Sequence, residues 1–103
     1  MSGIYEIVQK IKTRPGMYIG SNSLNNLFMF LAGYKTAKLE LGISPTTAEL
    51  EFYREFQPWL QKRFQVQTVN SWAEIIRGQH KDETEAFEDF FKLLDEFLAQ
   101  KKS

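Results

Sequence analysis

Arg14-Pro15-Gly16-Met17-Tyr18-Ile19-Gly20 lies between two segments whose apolar residues both recur at helical spacing. Proline holds φ near about −65° and suits the second position of a tight turn. Glycine tolerates the positive φ that a type II turn needs at the third. Met17, Tyr18 and Ile19 are too apolar for a free loop and too few for a helix. The stretch therefore reads as a Pro-Gly turn followed by a short extended plug driven onto a core.

Upstream, Ile4, Ile7, Val8 and Ile11 fall at i, i+3, i+4 and i+7, one stripe of a short amphipathic helix. The residue before a proline disfavours helical ψ, so this helix should stop at about Thr13. Downstream, Ser21-Asn22-Ser23 offers N-cap residues for a second helix bearing Leu24, Leu27, Phe28, Leu31, Tyr34, Ala37 and Leu41. Gly42 suits its C′ position, with Ile43 as the hydrophobic residue that often follows.

Thr46 with Glu49 matches a capping box after Ser44-Pro45, and Phe52, Phe56, Leu60 and Phe64, with Trp59 adjacent, continue at helical spacing. Pro58 lies inside that run. An interior proline costs about 3 kcal/mol, so two pieces are expected, the second starting near Pro58. Ser71 with Glu74 and Asp82 with Glu85 read as two more capping boxes. The first opens a short helix with Trp72, Ile75 and Ile76, ending near Gly78. The second opens the clearest helix, striped by Ala86, Phe87, Phe90, Phe91, Leu94, Phe97 and Leu98. Its acidic start and its basic end at Lys101 and Lys102 both suit the helix dipole. No strand-like alternation lasts long enough to build a sheet. The expected fold is all-α: residues 1–103 as one compact bundle of four to five helices.

A chain of 103 residues is one domain's worth. Thirteen basic and thirteen acidic residues cancel, which argues against a dedicated nucleic-acid or membrane-surface binder. The charges are nonetheless split: residues 1–44 carry five Lys/Arg against two acids, and residues 45–103 eight against eleven. Without cysteine there is no disulfide, thiolate metal site or thiol nucleophile. No signal-peptide core and no span-length apolar run is visible, so a cytoplasmic protein is expected.

Arg14–Gly20 resembles the RPGMYIG segment near the N-terminus of gyrase-type ATPase domains. In that family the next helix carries a metal-coordinating Glu, with an Asn one turn later. Here its only acid is Glu40, no Asn follows, the Gly-rich ATP lid is absent and the chain is far shorter. The likeness is one of turn chemistry, and no ATPase activity is expected. The order RPxMYIG, WLxxRF, SWxxII, EAFxxFFxLLDEF is similar to a group of small bacterial proteins across about residues 10–98. That resemblance implies a complete domain and brings no activity.

Arg14 could receive a phosphate or carboxylate through its planar fork, although a salt bridge to a neighbouring helix or a cap of its carbonyls is the commoner role. Tyr18 could stack on a ligand or fill core space. Trp59 and Trp72 are interface anchors if exposed and core if not. Glu85 and Asp89 share a helix face, a solvated acidic surface or a patch for a basic partner. His80, the only histidine, sits in a polar linker and reads as solvated. No catalytic triad, metal cluster or phosphate loop is present, so no enzyme, cofactor or metal is expected. The expected function is a protein-interaction or regulatory module, immunity-type in one version, with a homodimer as a further option. The rival is a small-ligand or nucleotide sensor at Arg14–Gly20.

Overall fold

The structure is a computed structural model that describes residues 3–67 and 70–101. Six helices follow one another: α1 Ile4–Thr13, α2 Pro15–Ile19, α3 Leu24–Glu40, α4 Thr47–Phe64, α5 Trp72–Arg77 and α6 Glu83–Lys101. No strand occurs among the described residues, and the fold is all-α. Among the described residues no helix is long and apolar enough to cross a membrane.

The α6 stripe forms the spine, burying Ala86, Phe87, Phe90, Phe91, Leu93, Leu94 and Phe97. Onto it α3 sets Leu24, Leu27 and Leu31, and α5 sets Ala73, Ile75 and Ile76. Helix α4 packs on α5 and α1 through Phe52, Phe56 and Leu60. Helix α1 adds Ile4, Val8 and Ile11, the inner part of its expected stripe. Each fully buried Phe, Leu or Ile contributes about 1.5–3 kcal/mol. Ala37 and Leu41, placed on the α3 stripe by spacing, are exposed instead.

Several ends are capped as their residues imply. Ser23 Oγ accepts from Asn26 N at 3.1 Å, and the Thr46–Glu49 capping box is complete. After α3, Gly42 takes φ 72°, with Ile43 N donating to Lys38 O at 2.9 Å and Gly42 N to Leu39 O at 3.1 Å. This is a Schellman closure. The other two boxes are only half made. Ser71 Oγ and Asp82 Oδ1 accept from the backbone of Glu74 and Glu85, but the Glu74 carboxylate turns to Arg77 and that of Glu85 faces His80. Lys101 closes α6 by pairing with Glu51 and Glu55 of α4, and Lys102 lies outside the described residues.

Two expectations are corrected. The extended plug is the helix α2, with Pro15 at its first turn, where the fixed φ is pre-set for a helix and the missing N–H costs nothing. The positive φ falls on Gly20, at 87°, which stops α2, and Gly16 does not need one. The break expected at Pro58 is absent, since α4 runs unbroken through it. Pro58 is exposed, so the carbonyl of Arg54 that lost its N–H partner can be hydrated. Pro58→Ala restores that bond and should raise stability by about 1–2 kcal/mol, read as an increased urea midpoint.

Tyr5 Oη is buried without a hydrogen-bond partner among the described residues. Burial first, then the charges of Glu51 and Glu55, push its pKa up to about 12. Burial, with Glu49 and Tyr34, likewise pushes Tyr53 up to about 12. A phenol raised in the fold lends stability that is full below pH 10.0, the ordinary value, and is lost as pH climbs to about 12. Stability should therefore fall across that window. Tyr5→Phe should flatten the fall and add about 1 kcal/mol at neutral pH by removing the unpartnered hydroxyl. Thermal melts at stepped pH read both effects.

Candidate functional site

The α1–α2 corner follows from the short turn at Arg14. Its backbone leaves α1 at φ −138°, ψ 66° and folds α2 back beside α1. Asn26 then fixes the far end of α2: its side-chain amide donates to Ile19 O at 3.0 Å and to Ser21 Oγ at 3.3 Å. Between the two helices lies an open groove of 400 Å³, with Glu6, Gln9, Lys10 and Thr13 on one side and Arg14, Met17 and Tyr18 on the other. Met17 is 70% exposed at its edge. Tyr18 is half-buried and meets Phe30 edge-on at 6.5 Å. Lys10 is 4.0 Å from Glu6, one turn earlier. The exposed Arg14 guanidinium makes no ion pair or hydrogen bond within the described residues, so the expected salt bridge is not formed.

Arg14 and Tyr18 thus share one groove. Trp59 and Trp72 lie elsewhere, both half-buried in an aromatic cluster. Trp59 stacks on Phe56 at 6.1 Å and meets Phe97 at 5.7 Å, while Trp72 sits between Phe28, Phe52, Phe56 and Phe90.

Glu85 and Asp89 come together on α6, and what joins them is His80. Its Nε2 is 2.7 Å from Asp89 Oδ2, and its Nδ1 is 3.8 Å from Glu85 Oε1. The imidazole is 21% exposed, so the reading of a solvated linker histidine is corrected. The chain turns back between α5 and α6, which lays His80 against the first turns of α6. Despite this grouping, no three His, Asp or Glu side chains among the described residues are arranged to hold a metal ion.

Glu83, the first residue of α6, lies beside this corner. Its carboxylate accepts from Asn25 N at 3.0 Å and Ser23 Oγ at 3.1 Å, and pairs with Arg77 Nε at 2.9 Å. The Asn25 N–H is the largest influence holding its pKa below the usual carboxylate value, against the opposing effect of burial. A polar cleft of 520 Å³ opens there, lined by Glu74, Arg77, His80, Lys81, Asp82 and Glu83 among others. Its charges largely satisfy one another, which suits a structural joint.

A group that sequence reading missed is Glu49. Expected only as half of a capping box, it is fully buried and also accepts from Tyr34 Oη at 2.7 Å and Lys38 Nζ at 3.2 Å. Tyr34 and Lys38 stand one turn apart on α3, a spacing that could have suggested a shared partner. Comparison with family models, with curated proteins and with solved structures finds no match for this chain.

Proposed function

We propose that this chain is a small non-enzymatic protein-interaction or regulatory module, acting in the cytoplasm, that docks a partner protein through the α1–α2 corner. The observation that carries the reading is Met17, 70% exposed beside a guanidinium without a partner in an open groove. Arg and Tyr are enriched where interfaces hold most of their energy, and Met adapts to irregular apolar partners. The basic excess of residues 1–44 favours a partner segment that carries a carboxylate beside its apolar anchor. An immunity-type role is the version in which that partner is a toxin, and it requires a toxin gene beside this one.

A photo-crosslinking residue in place of Met17, used in cells, should give one discrete adduct that Arg14→Glu abolishes. Adducts indifferent to Arg14→Glu, or none, overturn the reading. An adduct of twice the chain's mass assigns the corner to a homodimer instead. The second reading is a small-ligand or nucleotide sensor at the same groove, whose 400 Å³ falls within the range of small-molecule sites. Tyr18 would stack on the ligand and Arg14 would take its anion. A ligand at about 100 times its Kd adds about 2.7 kcal/mol. A metabolite screen that never shifts the melt removes that reading.

A further inference from the structure

Helices α3 and α4 each pack on α5, but α3 leans toward α6 and α4 toward α1. A half-enclosed cleft of 230 Å³ remains between them. Its walls are Phe28 and Leu31 of α3, Phe52 of α4 and Trp72 of α5. Phe28 and Phe52 stand edge-on to Trp72 at 5.3 and 5.8 Å. An apolar cavity of about 150 Å³ already admits benzene, so one substituted aromatic ring fits this space.

The polar groups around the cleft are as telling as its walls. Lys35 Nζ lies 4.6 Å from the Tyr53 ring centre at the rim and makes no ion pair or hydrogen bond within the described residues. The Gln57 amide, the Tyr53 hydroxyl and the Trp72 indole N–H also lack hydrogen-bond partners there. All four can donate, and the ammonium and the indole can only donate. No carboxylate lines the cleft among the described residues. An apolar slot whose lining residues carry unused donors, one of them cationic, is complementary to a flat apolar body with an anionic acceptor head. Convergent polar groups on a mostly apolar concavity are the usual mark of a small-molecule site.

We propose that this cleft binds a small aromatic carboxylate, its ring against Phe28, Phe52 and Trp72 and its carboxylate at Lys35. The assignment is independent of the docking reading, since the two sites share no residue. Phenylacetate titrated into the full chain, followed by amide and indole NMR resonances, tests it. Saturable shifts are expected at Lys35, Gln57 and the Trp72 indole. Lys35→Gln, at an exposed position, should weaken binding about tenfold, the worth of one charge-assisted bond. Ala32→Leu, at an exposed position on the cleft's edge, should block binding while leaving the thermal melt in place. The proposal is overturned if phenylacetate leaves these resonances unmoved, or if binding ignores both variants. Benzyl alcohol binding as tightly as phenylacetate would overturn the carboxylate assignment.

Discussion

Glu49→Ala is expected to lower the free energy of unfolding by about 3 kcal/mol in urea titrations. The Glu49 side chain is 1% exposed and accepts from Thr46 N at 2.9 Å, Tyr34 Oη at 2.7 Å and Lys38 Nζ at 3.2 Å. Truncation strips three donors of their acceptor, among them the Thr46 N–H of the capping box, while Thr46 Oγ1 still caps α4 through the backbone N–H of residue 49. A capping residue alone is worth about 1 kcal/mol, so a loss no larger than that would show the buried network to be neutral. The pH dependence supplies a second reading. Burial on its own would raise the Glu49 carboxyl, but bonds from Thr46, Tyr34 and Lys38 outweigh it and hold the group below its ordinary 4.5. A carboxyl lowered in the fold lends stability that is full above that value and is lost as pH falls through the folded one. Glu49→Gln should therefore flatten the acid limb. It should also cost less than Ala, because the amide still accepts from Thr46 or Tyr34.

Phe56→Ala carries the other large effect, about 3–5 kcal/mol from lost burial and an unfilled cavity. Phe56 is fully buried and touches Phe52 at 5.0 Å, Phe97 at 5.3 Å, Trp72 at 5.8 Å, Phe90 at 5.9 Å and Trp59 at 6.1 Å. Domains of this size hold about 5–15 kcal/mol in total, so the variant should be near the edge of folding. Because both tryptophans adjoin the vacated site, their emission should shift to longer wavelength before any denaturant is added. A cost under about 2 kcal/mol would mean that the surrounding rings collapse into the gap. Phe56→Leu, which keeps most of the volume, should cost less than half as much as Ala.

Apolar spacing revealed α1, α3, α5 and α6 because a helical period of 3.6 records which side of each helix meets the core. Gly42 was legible for the same local reason: a left-handed residue closing a helix is nearly a property of the residue itself. Arg14–Gly20 misleads because Pro-Gly encodes a tight turn and a first helical turn equally well. In the fold the helical form is closed by Gly20 N on Pro15 O, and Asn26 of α3 holds Ile19 O. Pro58 misleads because its cost depends on whether the freed carbonyl faces water, which spacing does not report. The burial of Glu49, beyond its capping box, and the pairing of His80 went unread for a further reason. Their surroundings are assembled from other helices: Tyr34 and Lys38 reach Glu49 from α3, and Asp89 reaches His80 from α6. Of the candidate site residues, Arg14 and Tyr18 do share a groove and Glu85 and Asp89 share a partner. Neither pairing with its surroundings could be read before α2 folded back on α1 or α6 on α5.

The Glu83 carboxylate has a consequence for how the chain opens. It is the first residue of α6, and it holds the Asn25 amide and the Ser23 hydroxyl that begin α3, across separations of 58 and 60 residues. The starts of two helices are thereby tied to one side chain, with Arg77 of α5 bound to its other oxygen. Helix ends ordinarily fray one by one, exchanging their amide hydrogens independently of the rest of the molecule. Here neither first turn can loosen without releasing the other, so the joint converts two local frayings into a single shared event. Residues far apart in the chain should then exchange at one common rate.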